Sequence, residues 1–95
     1  MSLVVSPRVR EKLAQKVPPV TESEILQCFA NRQGWYLTDE REEHRTDPPT
    51  RWFVAETDYG RKLKVAFIQA GEDVIIKTAY DANDTEQRIY NHYAR

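Results

Sequence analysis

Two short glycine-bearing turns constrain this chain more than any other feature. Asp58-Tyr59-Gly60 and Ala70-Gly71-Glu72 separate three runs of alternating apolar and polar residues, near 51–57, 61–69 and 73–79. Connections this short hold consecutive strands side by side and antiparallel, because a parallel return needs a crossover of about a dozen residues or more. The back half is therefore expected to be an antiparallel meander.

Alternation also decides which side chains share a face. Phe53 and Ala55, then Leu63, Val65 and Phe67, then Val74 and Ile76 fall together on one apolar face. The opposite face gathers Lys62, Lys64 and Lys77 on an otherwise fairly apolar surface that includes Trp52, Val54, Ile68 and Ala79.

Helix signals flank this meander. At Ser6-Pro7, serine caps the free amides and proline in the first helical position sacrifices no hydrogen bond. The helix is predicted to run to about Lys16 with Val9, Leu13 and Val17 on one face, until Pro18-Pro19 stops it. Thr21 and Glu24 form a capping box for a second helix, whose Ile25, Leu26 and Phe29 make a buried stripe ending near 31–34. Asn83 with Glu86 opens a third, with Ile89, Tyr90 and Tyr93 as its packing stripe. Residues 2–5 suit a short edge strand, Trp35 to Thr38 has strand composition, and residues 39–50 read as an exposed loop. The expectation is one α+β domain over residues 1–95. It comprises an N-terminal helical hairpin, a three- to four-stranded antiparallel sheet and a C-terminal helix.

Composition agrees with that size and narrows the chemistry. A chain of 95 residues, 40% hydrophobic and 31% charged, is globular in composition and suits one core burying roughly two thirds of the unfolded surface. The lone Cys28 cannot form an internal disulfide and reads as a small core residue, and with only His44 and His92 the chain lacks a zinc ligand set. No apolar run approaches the ~20 residues that cross a bilayer, no signal-peptide core is visible, and a cytoplasmic location is expected. No glycine-rich phosphate loop, serine elbow or paired catalytic carboxylates can be identified, so no cofactor is expected. A net charge of -1 gives no global attraction to nucleic acid. Any such function must rest on local segregation. Residues 8–16 do hold four basic groups against Glu11, and residues 39–47 hold five acidic ones against Arg41 and Arg45.

Lys62, Lys64 and Lys77, with Arg51 and Arg61 at strand ends, suit phosphate oxygens, and Trp52 or Tyr80 offers a base a stacking surface. The residues by themselves favour a plainer reading of the same lysines, a solvated face guarded against edge pairing, with Glu56 opposite Lys62 as an ion pair. His44, in the polar loop Glu42-Glu43-His44-Arg45-Thr46-Asp47, would titrate near about 6.5, in the range for acid or base work. A lone histidine in a charged loop is more often a solvated residue. The acidic groups around it lack the glycine turn and spacing of a calcium loop.

Gly60-Arg61-Lys62-Leu63-Lys64-Val65-Ala66-Phe67, Ile75-Ile76-Lys77-Thr78-Ala79-Tyr80 and the closing Glu86, Arg88, Ile89 and Tyr90 resemble motifs of the BrnT-like toxins of the RelE/ParE superfamily. The opening Ser6-Pro7 and Thr21-Glu22-Ser23-Glu24 is similar as well. The resemblance implies a RelE-like fold and a bacterial toxin that cleaves RNA without metal, the ribose 2′-hydroxyl attacking the adjacent phosphorus. It implies a cognate antitoxin as partner. It further implies Lys62, Lys64 and Arg61 at the phosphate, joined by Arg88, with His44 or Tyr80 moving protons. The chain departs from that family where Tyr80 is followed by Asp81 and Asp84 in place of basic residues.

Overall fold

The meander forms, and one further strand joins it on each side. The computed structural model describes residues 1–41 and 46–95. Its elements are β1 (Ser2–Val4), α1 (Pro7–Ala14), α2 (Glu22–Asn31), β2 (Leu37–Thr38), β3 (Thr50–Glu56), β4 (Lys62–Ala70), β5 (Asp73–Asp81) and α3 (Asp84–Ala94). The sheet order is β1-β5-β4-β3-β2. β1 runs parallel to β5 while every other pair is antiparallel, so this five-stranded open sheet is mixed rather than wholly antiparallel. Gly60 (φ 85) and Gly71 (φ 62) hold the left-handed conformations that the two hairpin turns require.

Each helix starts where its cap directs. The Ser6 hydroxyl accepts the Val9 amide, and both Thr21–Glu24 and Asn83–Glu86 make complete capping boxes. α1 ends at Ala14, before the expected Lys16, because the prolines at 18 and 19 supply no amide hydrogen and bias the preceding backbone away from the helix. Val17 is consequently 94% exposed instead of lying on the packing face. Val20 enters the core in its place, its amide donating to the Leu13 carbonyl at 3.0 Å.

α1 lies against β5, and α2 against β3 and β4. On the α2 face, Phe29 meets Phe53 at 4.7 Å and Phe67 at 5.3 Å between ring centroids, and Tyr36 meets Phe67 at 4.9 Å. Tilted and edge-on contacts of this kind add stabilisation beyond the burial itself. Ile25 and Cys28 complete the buried side of α2, while Leu26 is exposed. Burial pushes the Cys28 thiol up to about 12, with the Glu24 charge adding to it, so it behaves as a core group.

A bulge alters the expected register. Across β4 and β5, Ala66 pairs with Thr78 but Phe67 pairs with Ile76, which leaves Lys77 as the extra residue. Ala79, expected beside the lysines, is therefore turned into the core opposite Val65, and Tyr80 is brought opposite Lys64. Arg51 pairs with Phe67, which places it on the α2 face, away from Lys62 and Lys64.

The lysine-bearing face is not left to solvent. α3 packs on it, with Tyr90 6.0 Å from Trp52 and both Tyr90 and Ala94 buried. The expected stripe of Ile89, Tyr90 and Tyr93 is thereby corrected, since Ile89 and Tyr93 point outward. The sheet thus carries helices on both faces.

Candidate functional site

Three consecutive strands and the first turn of α3 bring a cation, a phenol and a carboxylate together. Register aligns Trp52 of β3 with Ala66 and aligns Lys64 of β4 with Tyr80 of β5, so their side chains share one face. Above them stands Glu86. One of its oxygens accepts the Asn83 amide at 3.1 Å to cap α3, which frees the other for the sheet. That second oxygen lies 3.0 Å from Lys64 Nζ and accepts the Tyr80 hydroxyl at 2.5 Å. The Lys64 side chain is only 14% exposed, and its ammonium also sits 4.6 Å from the centre of the Trp52 ring.

Trp52, Lys64 and Glu86 line one side of a cleft of about 440 Å³, whose other wall is the segment Thr38 to Arg41 with Ile89 closing it from α3, while Tyr80 lies outside the lining, bonded to its Glu86. Arg41 grips Asp39 through two bonds of 3.1 and 3.0 Å, and the Asp39 amide donates to the Thr50 carbonyl, fixing this wall to β3. From the turn after α1, Lys16 Nζ approaches the centre of the Tyr80 ring to 5.5 Å. Lys64 Nζ stands 5.8 Å from the centre of the same ring, so two ammonium groups flank one phenol.

Their electrostatics are mutually consistent. Burial alone would raise the Glu86 carboxyl, but bonds from Tyr80, the Asn83 amide and Lys64 outweigh it and hold the group below its usual range. The Tyr80 phenol is pushed up to about 12, by burial first and then by its bond to Glu86 and the Glu86 charge, with Arg41 opposing. Glu86 is thus an anion and Tyr80 a proton donor at neutral pH. Because the folded pKa of Tyr80 exceeds its unfolded value of about 10, the stability it lends is whole below pH about 10 and is lost as pH rises toward 12. Denaturation midpoints measured across that window should decline in the native chain and decline less in Tyr80→Phe. The remainder belongs to buried Tyr90 and Cys28, whose pKa values are also raised, chiefly by burial.

The other expected residues are dispersed. Arg61 is 16% exposed and its guanidinium is fully engaged within the fold, on Asp81, Glu24 and the carbonyls of Pro18 and Pro19. Lys62 stands 4.0 Å from Glu56, as expected for a surface pair. It borders a second, larger recess of about 670 Å³ with Gln87, Tyr90 and Asn91. That recess mixes the amides of Asn31, Gln33, Gln87 and Asn91 with Glu56, Asp58, Lys62 and Arg95, whereas at the smaller cleft one oxygen of Glu86 takes both Lys64 and the Tyr80 hydroxyl. Lys77 lies at the bulge, exposed, and borders neither recess. Arg88 is exposed on α3, and His44 lies outside the described residues. In the sequence Glu86 is legible as a cap and as part of the closing helix motif, Arg41 as a cation in an acidic loop and Lys16 as a helix end within a basic run, but none of the three as a site residue. The signal for Glu86 was present, since a capping-box glutamate uses one oxygen and leaves the other.

Comparison with protein-family models, with curated proteins and with solved structures finds no match for the chain.

Proposed function

We propose that this chain is a toxin-like ribonuclease of RelE-like fold that cleaves RNA in the cleft at Lys64, without metal, and is silenced by a cognate antitoxin in the cytoplasm. The observation that supports this most is the convergence of Lys64, Tyr80 and Glu86 on one oxygen, with Arg41 and Lys16 nearby. Phosphoryl transfer of this kind needs cations at the phosphate and a paired proton acceptor and donor. Lys64 and Arg41 bind the non-bridging oxygens. Glu86 takes the 2′-hydroxyl proton as that oxygen attacks phosphorus, the bond to the 5′ oxygen breaks, and Tyr80 protonates the leaving oxygen. The products are a 2′,3′-cyclic phosphate and a 5′-hydroxyl, and the short bond between Tyr80 and Glu86 returns the proton.

Incubation of purified protein with RNA should generate 2′,3′-cyclic ends, and Tyr80→Phe, which keeps the ring, should slow this about a hundredfold. Cleavage unaffected by Tyr80→Phe, or RNA left intact by the native chain, would remove the reading. A second reading, a protein-binding relative without cleavage, is favoured by one observation: Lys64 is already neutralised by Glu86. Intact RNA together with normal growth on induced expression would select it.

A further inference from the structure

Beyond Glu86, α3 turns toward solvent a strip that its packing does not use. Tyr90 and Ala94 face the sheet, whereas Ile89 and Tyr93, one turn apart, are 41% and 70% exposed. Ile89 is itself part of the cleft wall, so the strip begins at the cleft and continues about 6 Å along the helix to Tyr93. The His92 ring stands edge-on to Tyr93 at 4.6 Å and helps to orient it.

Charge follows the same strip. Residues 87–95 include Arg88, His92 and Arg95 and no acidic side chain, in a chain whose net charge is -1. Arg95 is engaged with Asn91 and Gln33, while Arg88 and His92 are exposed. The helix dipole accounts for basic residues near this end. It does not account for a tyrosine 70% exposed beside them, in line with the Ile89 of the cleft wall. An apolar and aromatic line flanked by cations matches unpaired nucleic acid, whose bases offer their faces for stacking while phosphates meet guanidinium groups. A duplex keeps those faces stacked inside and cannot use such a line.

We infer that the outer face of α3 is the track by which single-stranded RNA leaves the cleft, with bases on Ile89 and Tyr93 and a phosphate on Arg88. The inference rests on the reading of the cleft as an RNA site and specifies its substrate class as unpaired RNA.

The test is fluorescence anisotropy with a labelled oligoribonucleotide, alone and annealed to its complement, on Tyr80→Phe protein to suppress turnover. The single strand should bind at least about tenfold more tightly than the duplex. Tyr93→Ala should weaken single-strand binding about tenfold while Tyr93→Phe does not. Arg88→Ala should lower the salt-dependence slope by about 0.7. Equal binding of duplex and single strand, or binding and cleavage unchanged by Tyr93→Ala and Arg88→Ala, overturns the track and leaves the cleavage reading standing. Single-strand binding that depends on Tyr93 in a native protein that cleaves nothing supports the track and removes the cleavage reading. Concentration-dependent self-association abolished by Tyr93→Ala, with no RNA binding, assigns the strip to a second copy and overturns the track.

Discussion

Arg61→Met is expected to destabilise the domain by about 3 kcal/mol, the lower end for breaking a buried ion-pair network, because Asp81 is 54% exposed and recovers some solvation. For a domain of this size that corresponds to a fall in Tm of roughly 15 °C. The five guanidinium hydrogens are all used. Nε and Nη2 hold the two Asp81 oxygens at 2.8 and 2.9 Å, Nη2 reaches the Pro18 carbonyl at 2.8 Å, and Nη1 takes the Pro19 carbonyl at 2.7 Å and Glu24 at 3.2 Å. One side chain thus fastens the turn before α2, the first turn of α2 and the end of β5. Met keeps the volume and leaves two carboxylates and two carbonyls without their donor. Arg61→Lys keeps the charge but offers a point cation with three donors, so it should recover only part of the loss. A lysine variant as stable as the native chain would show that charge, not the fork of donors, holds this corner.

The clamp also has a pH signature. Its hydrogen bond to Asp81 holds that carboxyl below the usual range, against an opposing effect of burial. A depressed folded pKa gives stability that is whole above the unfolded value of about 3.9 and is lost as pH falls through the folded one. Arg61→Met should therefore flatten the acid limb of the stability profile, which urea midpoints between pH 5 and 2 would reveal. No loss of acid sensitivity would detach Asp81 from the clamp.

The elements that were legible in the sequence are those governed by local rules. Capping residues marked the three helix starts, and two glycine turns set the three central strands. The bulge at Lys77 was not legible, because Val74 to Tyr80 contains no glycine and reads as plain alternation. That single extra residue moved Ala79 into the core and brought Tyr80 opposite Lys64, which lets both side chains reach Glu86. The position of α3 was half legible. A sheet face bearing Trp52, Val54, Ile68 and Ile75 needs cover, and with α2 committed to Phe53 and Phe67, the last helix was the element left to supply it. Following that step would have buried Lys64 and separated it from Lys62. Arg61 was misleading for a different reason. Turn glycine followed by arginine looks the same in sequence whether the guanidinium meets a phosphate or the protein's own carboxylates, and only the tertiary approach of Glu24 and Asp81 distinguishes them.

Gly34→Ala carries the second large effect, and it tests how α3 is held on that face. A methyl group at this position would stand 2.5 Å from the Ala94 carbonyl oxygen and 2.9 Å from the Tyr90 hydroxyl. The first of these is backbone and yields only if the last turn of α3 moves, which would also stretch the 2.8 Å bond from the Trp35 amide to the same carbonyl. Overpacking of this kind costs about 2–3 kcal/mol, or roughly 10 °C in Tm. The damage should be local. Asn83 and Glu86 still cap the first turn, so amide protection should fall in the later turns of α3 while β4 stays protected. Cleavage at the Lys64 cleft should then survive better than single-strand binding along Ile89 and Tyr93. Native melting with full protection in α3 would mean that the chain around Gly34 gives way instead, and that close approach is not what requires glycine there.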